Sequence, residues 1–221
     1  PKHCITPDGY FYQMNPSSVP YKESYFFMQG AIYIANTLLD VIDSKFAQVI
    51  TAKLVDDTAK KLNEDGYYPI PYRSEWLKAD YNIGKGYFDT RWNLDYAYIC
   101  LRMYSMFKDE KYINIADKVL TYYKKYAEQN AIKVPYIDDA FLVMDYGAEY
   151  YIGMTHSSLN HHLMGLKALM YEDILKKENN NSAFIKKMIK GVEATCDMWI
   201  KKDGNLEYAC LLYTSPSPRD S

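Results

Sequence analysis

The sequence predicts an all-α protein, a partial α/α toroid of helix hairpins whose short β-hairpin and loop connections form one cleft. Three observations carry this. Apolar residues recur at helical spacing in three paired runs. The starts of the first helices, near Gln29, Asn93 and Thr155, stand 64 and 62 positions apart, a period of roughly 65 residues that marks a repeat array. The pairs are joined by long Tyr-rich segments, "TPDGYFYQ", "NEDGYYPIP", "QNAIKVPYI" and "KKDGNLEYA", unlike the tight turns of a solenoid.

In order, "SYFFMQGAIYIANTLLDVI" aligns Phe27, Ala31, Ile34, Leu38 and Ile42 on one helix face, and Asp43-Ser44 caps the next helix. That helix, "KFAQVITAKLVDDTAKKL", aligns Phe46, Val49, Ile50, Leu54 and Leu62. The second pair is "RWNLDYAYICLRMYSMF" and, after "KDEKY", "INIADKVLTYYKKYA", with Ile115, Val119 and Tyr122 on one face. The third is "THSSLNHHLMGLKALMYEDIL", with Leu159, Leu163, Leu166 and Met170 in line, answered after "KKENNN" by "SAFIKKMIKGVEATCDMWI". Three hairpins make about half of a ring of six or seven. The opening "PKHCITPDGY" has neither an initiator Met nor a signal-peptide core, so a truncated N-terminus is expected. Residues 1–209 read as one domain. The last stretch, "CLLYTSPSPRDS", breaks in composition and resembles translated sequencing adapter, so 210–221 read as a non-native tail.

Composition narrows the function. With 48% hydrophobic residues and a formal net charge of -2 over 221 residues, the chain suits a globular domain with a substantial core. Its 26 basic and 28 acidic side chains are interleaved, which leaves no footprint for nucleic acid. No apolar run approaches the roughly 20 residues that span a bilayer. Cys4, Cys100, Cys196 and Cys210 show neither CxxC nor zinc spacing. The 24 Tyr, 8 Phe and 3 Trp offer flat faces that suit sugar rings as well as ordinary cores.

Three segments carry candidate chemistry. "THSSLNHH" holds three of the four histidines. HExxH and any three-ligand cluster are absent, which argues against a metal, and no GxSxG elbow supports a nucleophilic serine. Thr155 or Ser157 as a helix cap with a half-buried His156 is the plain alternative to a polar mouth, where an inner helix start would favour an anionic ligand. "VPYIDDAFLVMDYGAEYYIGM" intersperses Tyr136, Tyr146, Tyr150 and Tyr151 with Asp138, Asp139, Asp145 and Glu149, which reads as a solvated loop or as paired carboxylates for a glycosidase. "YNIGKGYFDTRWNLDYAY" offers Tyr81, Tyr87, Asp89, Arg91 and Asn93. Arg91 suits a ligand carboxylate, or an ion pair with Asp89 or Asp95.

In this order and spacing, "SYFFMQGAIYIANTLLDV", "TRWNLDYAYICLRMYSMF", "PYIDD" and "YYIGMTHSSLNHHLMGL" resemble the C-terminal catalytic domain of D-glucuronyl C5-epimerases, over most of the chain up to about Tyr208. The resemblance implies conversion of D-glucuronate to L-iduronate within heparan-like polysaccharides. That reaction needs no cofactor; the C5 proton is removed and returned, with tyrosines as acid and base. By position Tyr136 and Tyr151 match family tyrosines, with Tyr87, or else Tyr81, as the third. His156 and Asn160 match the His and Asn of the Thr-His motif, and Gln29 lies in the "MQG" helix start. Arg91, Asn93, Gln29, Tyr150, His156 and Asn160 are thus the substrate-binding candidates. The "QGA" lacks the family's second Gln, and "WNLDY" replaces its Asn-Gly pair. An acidic, uronate-containing polysaccharide is the expected partner, with a homodimer as the open assembly question. The compartment stays open between secretory, by resemblance, and cytoplasmic.

The chemistry stands beside the resemblance. A proton next to a carboxylate is weakly acidic, so a cation such as Arg91 would have to stabilise the developing carbanion. A tyrosine base would need its pKa, normally about 10, lowered by its neighbours. Competing readings are a toroid glycoside hydrolase using Asp89, Asp138 or Asp139, a uronate lyase, and a non-catalytic glycan-binding helical protein.

Overall fold

The computed structural model describes residues 3–5, 11–14, 25–26, 28–41, 43–149 and 153–210. Three short strands, β1 (His3–Ile5), β2 (Phe11–Met14) and β3 (Tyr25–Phe26), form an antiparallel sheet in sequence order. The first hairpin is α1 (Met28–Leu38), prolonged by a 3-10 turn at Leu39–Val41, and α2 (Lys45–Ala59). Ser44 caps α2 by accepting from the Ala47 amide, as the Asp-Ser pair foretold. The long connection that follows contains α3 (Glu75–Tyr81), a short helix that periodicity did not reveal.

The second hairpin joins α4 (Thr90–Phe107) to α5 (Glu110–Gln129). The third joins α6 (Leu159–Lys176) to α7 (Ser182–Ala194). The connections before, between and after these hairpins carry two-residue and three-residue strands: β4 (Phe88–Asp89), β5 (Ala131–Lys133), β6 (Phe141–Val143), β7 (Tyr146–Gly147), β8 (Ser157–Ser158) and β9 (Ala209–Cys210). β4 pairs with β7, β5 with β6, and β8 with β9. Each pairing of β7 or β9 therefore brings a downstream connection onto the start of an inner helix.

The inner helices α1, α4 and α6 lie side by side, α4 packing on both of the others, and each is backed by its own second helix. This is a mostly helical, partial α/α toroid. Large aromatic and branched residues fill the space between the layers, among them Tyr96, Tyr123, Leu94 and Leu101, all 0–1% exposed. The Tyr96 hydroxyl donates to the Val55 carbonyl and ties α4 to α2. Gly165 lies against the Tyr123 hydroxyl with no room for a Cβ, so glycine sets the close approach of α6 to α5. Gly191 does the same for α7 against the Phe141 backbone.

Helix rotation differs from the sequence reading in four places. In α1 the buried face is Ile32, Ala35 and Leu39, while Ile34 and Leu38 are half-buried. In α2, Ala47, Thr51, Leu54 and Val55 are buried and Phe46 and Val49 face solvent. In α6 the aligned Leu163 and Met170 are 47% and 49% exposed, and His161, His162, Gly165 and Leu169 point inward. A toroid helix meets neighbours on several sides, so its most apolar stripe need not face the layer behind it. The fourth difference is the start of α6. Thr155 and His156 are coil and Ser157–Ser158 is strand β8, so the helix begins only at Leu159.

Candidate functional site

β6 runs directly into Asp145, whose backbone joins two strands of chain. Its amide donates to the His156 carbonyl at 2.9 Å, and its carbonyl accepts from the Thr90 amide at 3.0 Å. The carboxylate is fully buried. Its Oδ1 accepts from the Ser158 amide at 2.9 Å, and its Oδ2 from the Ser158 hydroxyl at 2.5 Å. Two histidines flank it, His156 with Nε2 at 3.3 Å from Oδ2 and His161 with Nδ1 at 3.7 Å from Oδ1. A carboxylate so placed holds both rings and compensates either one that gains a proton.

His156 has 9% of its side chain exposed. Nδ1 meets the Tyr81 hydroxyl at 2.7 Å, and the ring stacks on Trp76 at 5.9 Å between Tyr146 and Tyr208. Nε2 lies near Asp145 without a hydrogen bond to it, and the atom lacks a hydrogen-bond partner among the described residues. The Ser157 hydroxyl is equally buried and unpartnered there. His161 Nδ1 sits 2.8 Å from the Thr90 hydroxyl. Burial pushes its pKa down to about 4, with Asp145 opposing and Arg91 and His156 adding to the fall, so the ring is neutral near pH 7.

His162 lies outside this group. Nδ1 accepts from the Val143 amide at 3.4 Å and Nε2 faces the Met188 carbonyl at 3.1 Å, which fixes a neutral tautomer with the proton on Nε2. Burial holds its pKa down at about 4 as well.

Beside the histidine group, the inner helices carry aromatic and charged side chains. Arg91 donates through Nε to Asp95 at 2.8 Å, Tyr33 meets Trp92 edge-on at 5.3 Å, and Lys167 sits 4.1 Å above the Tyr98 ring. Asn160, at the start of α6, hydrogen-bonds the half-exposed Tyr208. Planar rings beside paired charges suit a sugar, whose apolar ring face and hydroxyl edge each find a match. Among the described residues no group of His, Cys, Asp and Glu could hold a metal ion, and no helix is long and apolar enough to cross a membrane.

His156, Asn160 and Arg91 thus lie on or beside one site. Asn93 does not reach it: fully buried, it accepts from the Tyr68 amide and donates to the Tyr68 and Asp89 carbonyls. Tyr87 is 2% exposed, behind Tyr146, and burial together with Tyr72 and Asp89 raises its pKa well above 10. The lowered pKa that a tyrosine base needs is therefore reversed at Tyr87. Tyr136 projects fully into solvent, with φ of 64°, from the β5–β6 turn beside Asp139, which pairs with Lys187 of α7. It is remote from the histidine group in its contacts. Asp138 and Asp139 share that exposed turn, while Asp89 is buried as the cap of α4. Tyr150 and Tyr151 lie outside the described residues, as does the side chain of Gln29.

Sequence reasoning missed the centre. Asp145 stood as one of four acidic residues in its segment and His161 as one of three histidines in "THSSLNHH", with nothing to bring them together. No local pattern pairs them, since the Asp145 backbone is set against Thr90 and His156 by contacts between distant segments.

No family model and no curated sequence matches the chain. Its structure is similar to the crystal structure of a D-mannose isomerase, with a TM-score of 0.56 and 16% identity over 81% of this chain. The match covers 48% of that protein, so the chain spans about half its length.

Proposed function

We propose that the chain belongs to a carbohydrate isomerase or epimerase that moves a proton at a carbon beside a carbonyl or carboxylate. The observation that carries this is the buried Asp145 carboxylate set between His156 and His161, beside the aromatic rings of the inner helices. Aldose–ketose isomerisation and uronate C5-epimerisation share one difficulty, a weakly acidic C–H whose removal leaves negative charge on the adjoining oxygen. A neutral imidazole can take that proton, and Asp145 then stabilises the imidazolium formed, as a buried carboxylate does behind a catalytic histidine. The likeness to a D-mannose isomerase supports the fold in which such a site sits.

The finer reading is uronyl C5-epimerisation on an acidic polysaccharide, by the resemblance of the sequence motifs. Arg91 supports it, since its Nε is held by Asp95 while a guanidinium fork can also receive a uronate carboxylate. In this reading the histidines replace Tyr87 and Tyr136 as the groups that move the proton. A glucuronate polysaccharide and free D-mannose are each incubated with the protein in deuterated water and followed by NMR. Deuterium at C5 with iduronate appearing supports the uronyl reading. Label beside the carbonyl of the free sugar, with ketose forming, supports an aldose–ketose isomerase. A folded protein that binds sugar and labels neither sinks the proton-transfer proposal in favour of glycan binding.

A further inference from the structure

The short helix α3 lies in the connection between α2 and α4, and two of its rings turn to one side chain. Trp76 stacks on the His156 ring at 5.9 Å with 26° between the planes, and the Tyr81 hydroxyl lies 2.7 Å from its Nδ1. At the other edge of the imidazole, Nε2 stands 3.3 Å from Asp145 Oδ2. A neutral imidazole carries one N–H and one lone pair. With the proton on Nδ1, the Nε2 lone pair would face a buried carboxylate, and two electron-rich atoms would meet in a medium of low polarity. With the proton on Nε2 that contact becomes attractive, and Nδ1 is free to accept from the Tyr81 hydroxyl.

We infer that Tyr81 is a positioning residue, whose hydroxyl holds His156 in the tautomer with its proton on Nε2, turned toward Asp145. The inference rests on the proton-transfer reading above and divides the work between the two histidines. Both nitrogens of His156 are then engaged, so the ring offers the sugar no lone pair. It acts by fixing one edge of Asp145, whose amide also donates to the His156 carbonyl at 2.9 Å. His161 faces the other carboxylate oxygen through Nδ1 at 3.7 Å, so the same electrostatic argument puts its proton on Nδ1, where it donates to the Thr90 hydroxyl at 2.8 Å. The Nε2 lone pair of His161 is left to take the proton that the sugar gives up. Tyr81 thus acts through His156 and Asp145, not on the sugar.

Long-range proton–nitrogen correlation NMR on the histidine-labelled protein reads the tautomer directly. The chain has four histidines, and His156→Gln identifies the signals of that ring. The expected parent spectrum shows one tautomer for His156, with Nε2 protonated and Nδ1 a hydrogen-bonded acceptor. Tyr81→Phe keeps the ring against Trp76 and removes the hydroxyl, so Nδ1 shifts toward an unbonded acceptor or the two tautomers mix. Turnover in Tyr81→Phe should fall roughly tenfold with KM unchanged, the scale of one hydrogen bond. A proton on Nδ1 in the parent, or a His156 spectrum that Tyr81→Phe leaves as it was, overturns the inference. Full turnover in Tyr81→Phe overturns it as well. A parent that moves no proton on any sugar sinks the proton-transfer reading, and the nitrogen shifts then still decide whether Tyr81 sets the tautomer.

Discussion

At the start of α4 the helix carries its own carboxylate: Asp89 accepts from the Trp92 amide, and Asn93 clasps the backbone of Tyr68. At the start of α6 the carboxylate comes from the preceding strand, Asp145 accepting from Ser158, and His162 clasps Val143 and Met188. In both helices the residue four places after the cap ties down a connection, Asn93 at 0% and His162 at 1% exposure. The difference lies in the carboxylates. Asp89 is enclosed and belongs to its helix, while Asp145 has both oxygens taken by Ser158 and still faces two imidazoles. One entrance is a structural cap. The other has the same frame with titratable groups at its centre, as a proton-transfer site needs.

The largest expected consequence of that difference is Asp145→Asn. It keeps the shape but removes the charge that Ser158 and both histidines meet, so turnover of the labelled sugar should fall at least roughly a hundredfold. Stability should fall by about 2 kcal/mol in urea unfolding, the scale of hydrogen bonds to a charged group. Asp89→Asn, by contrast, should leave turnover unchanged and change stability by less than about 0.5 kcal/mol, since Asn caps a helix about as well as Asp. Equal kinetic losses would erase the distinction between the two entrances.

The entrances should also titrate in opposite directions. His161 and His162 have folded pKa values of about 4, below the ordinary 6.5. The unfolded chain therefore binds protons first, and their stabilisation is complete above pH 6.5 and lost as pH falls toward 4. Asp89 is raised well above its ordinary value by burial, with Asp145 and Asp95 adding to the rise. Its contribution is full at low pH and fades as pH rises through the raised pKa. Replacing His162 by Asn, the residue at the matching place in α4, should remove on the order of 3 kcal/mol of acid sensitivity between pH 6.5 and 4. Comparing unfolding curves of variant and parent isolates this from Asp89, whose slope is common to both.

A smaller effect checks the clasp itself. Asn93→Ala leaves the buried Tyr68 amide and carbonyl without their side-chain partner and should cost about 2 kcal/mol, with no change in KM. A loss confined to catalysis would return Asn93 to the substrate-binding set.

Helix pairs, period and toroid were legible because apolar spacing and repeat length are local in the chain. Helix rotation was not. In α6 the aligned Leu163 and Met170 are exposed while His161 and His162 are buried, and a single helix does not show which side faces core, cleft or a further helix. The site was half legible. His156, Asn160 and Arg91 were found by residue type at an inner-helix start. Asp145 became central through the pairing of β4 with β7 and the Thr90 bond, contacts across more than fifty residues that composition does not encode.

The smallest expected effect is at the edge of this comparison. Tyr136 matches a family tyrosine by motif, yet it stands outside both entrances, on a turn that packs toward Lys187. A fully exposed phenol makes few contacts to lose, so Tyr136→Phe should change stability by less than about 0.5 kcal/mol. Turnover should stay within about twofold of the parent, since the hydroxyl is remote from Asp145 and the two histidines. Loss of turnover in Tyr136→Phe, with His161→Gln still active, would reverse the assignment. The β5–β6 turn would then have to fold over the histidine group when sugar binds, and the proton would move through tyrosine.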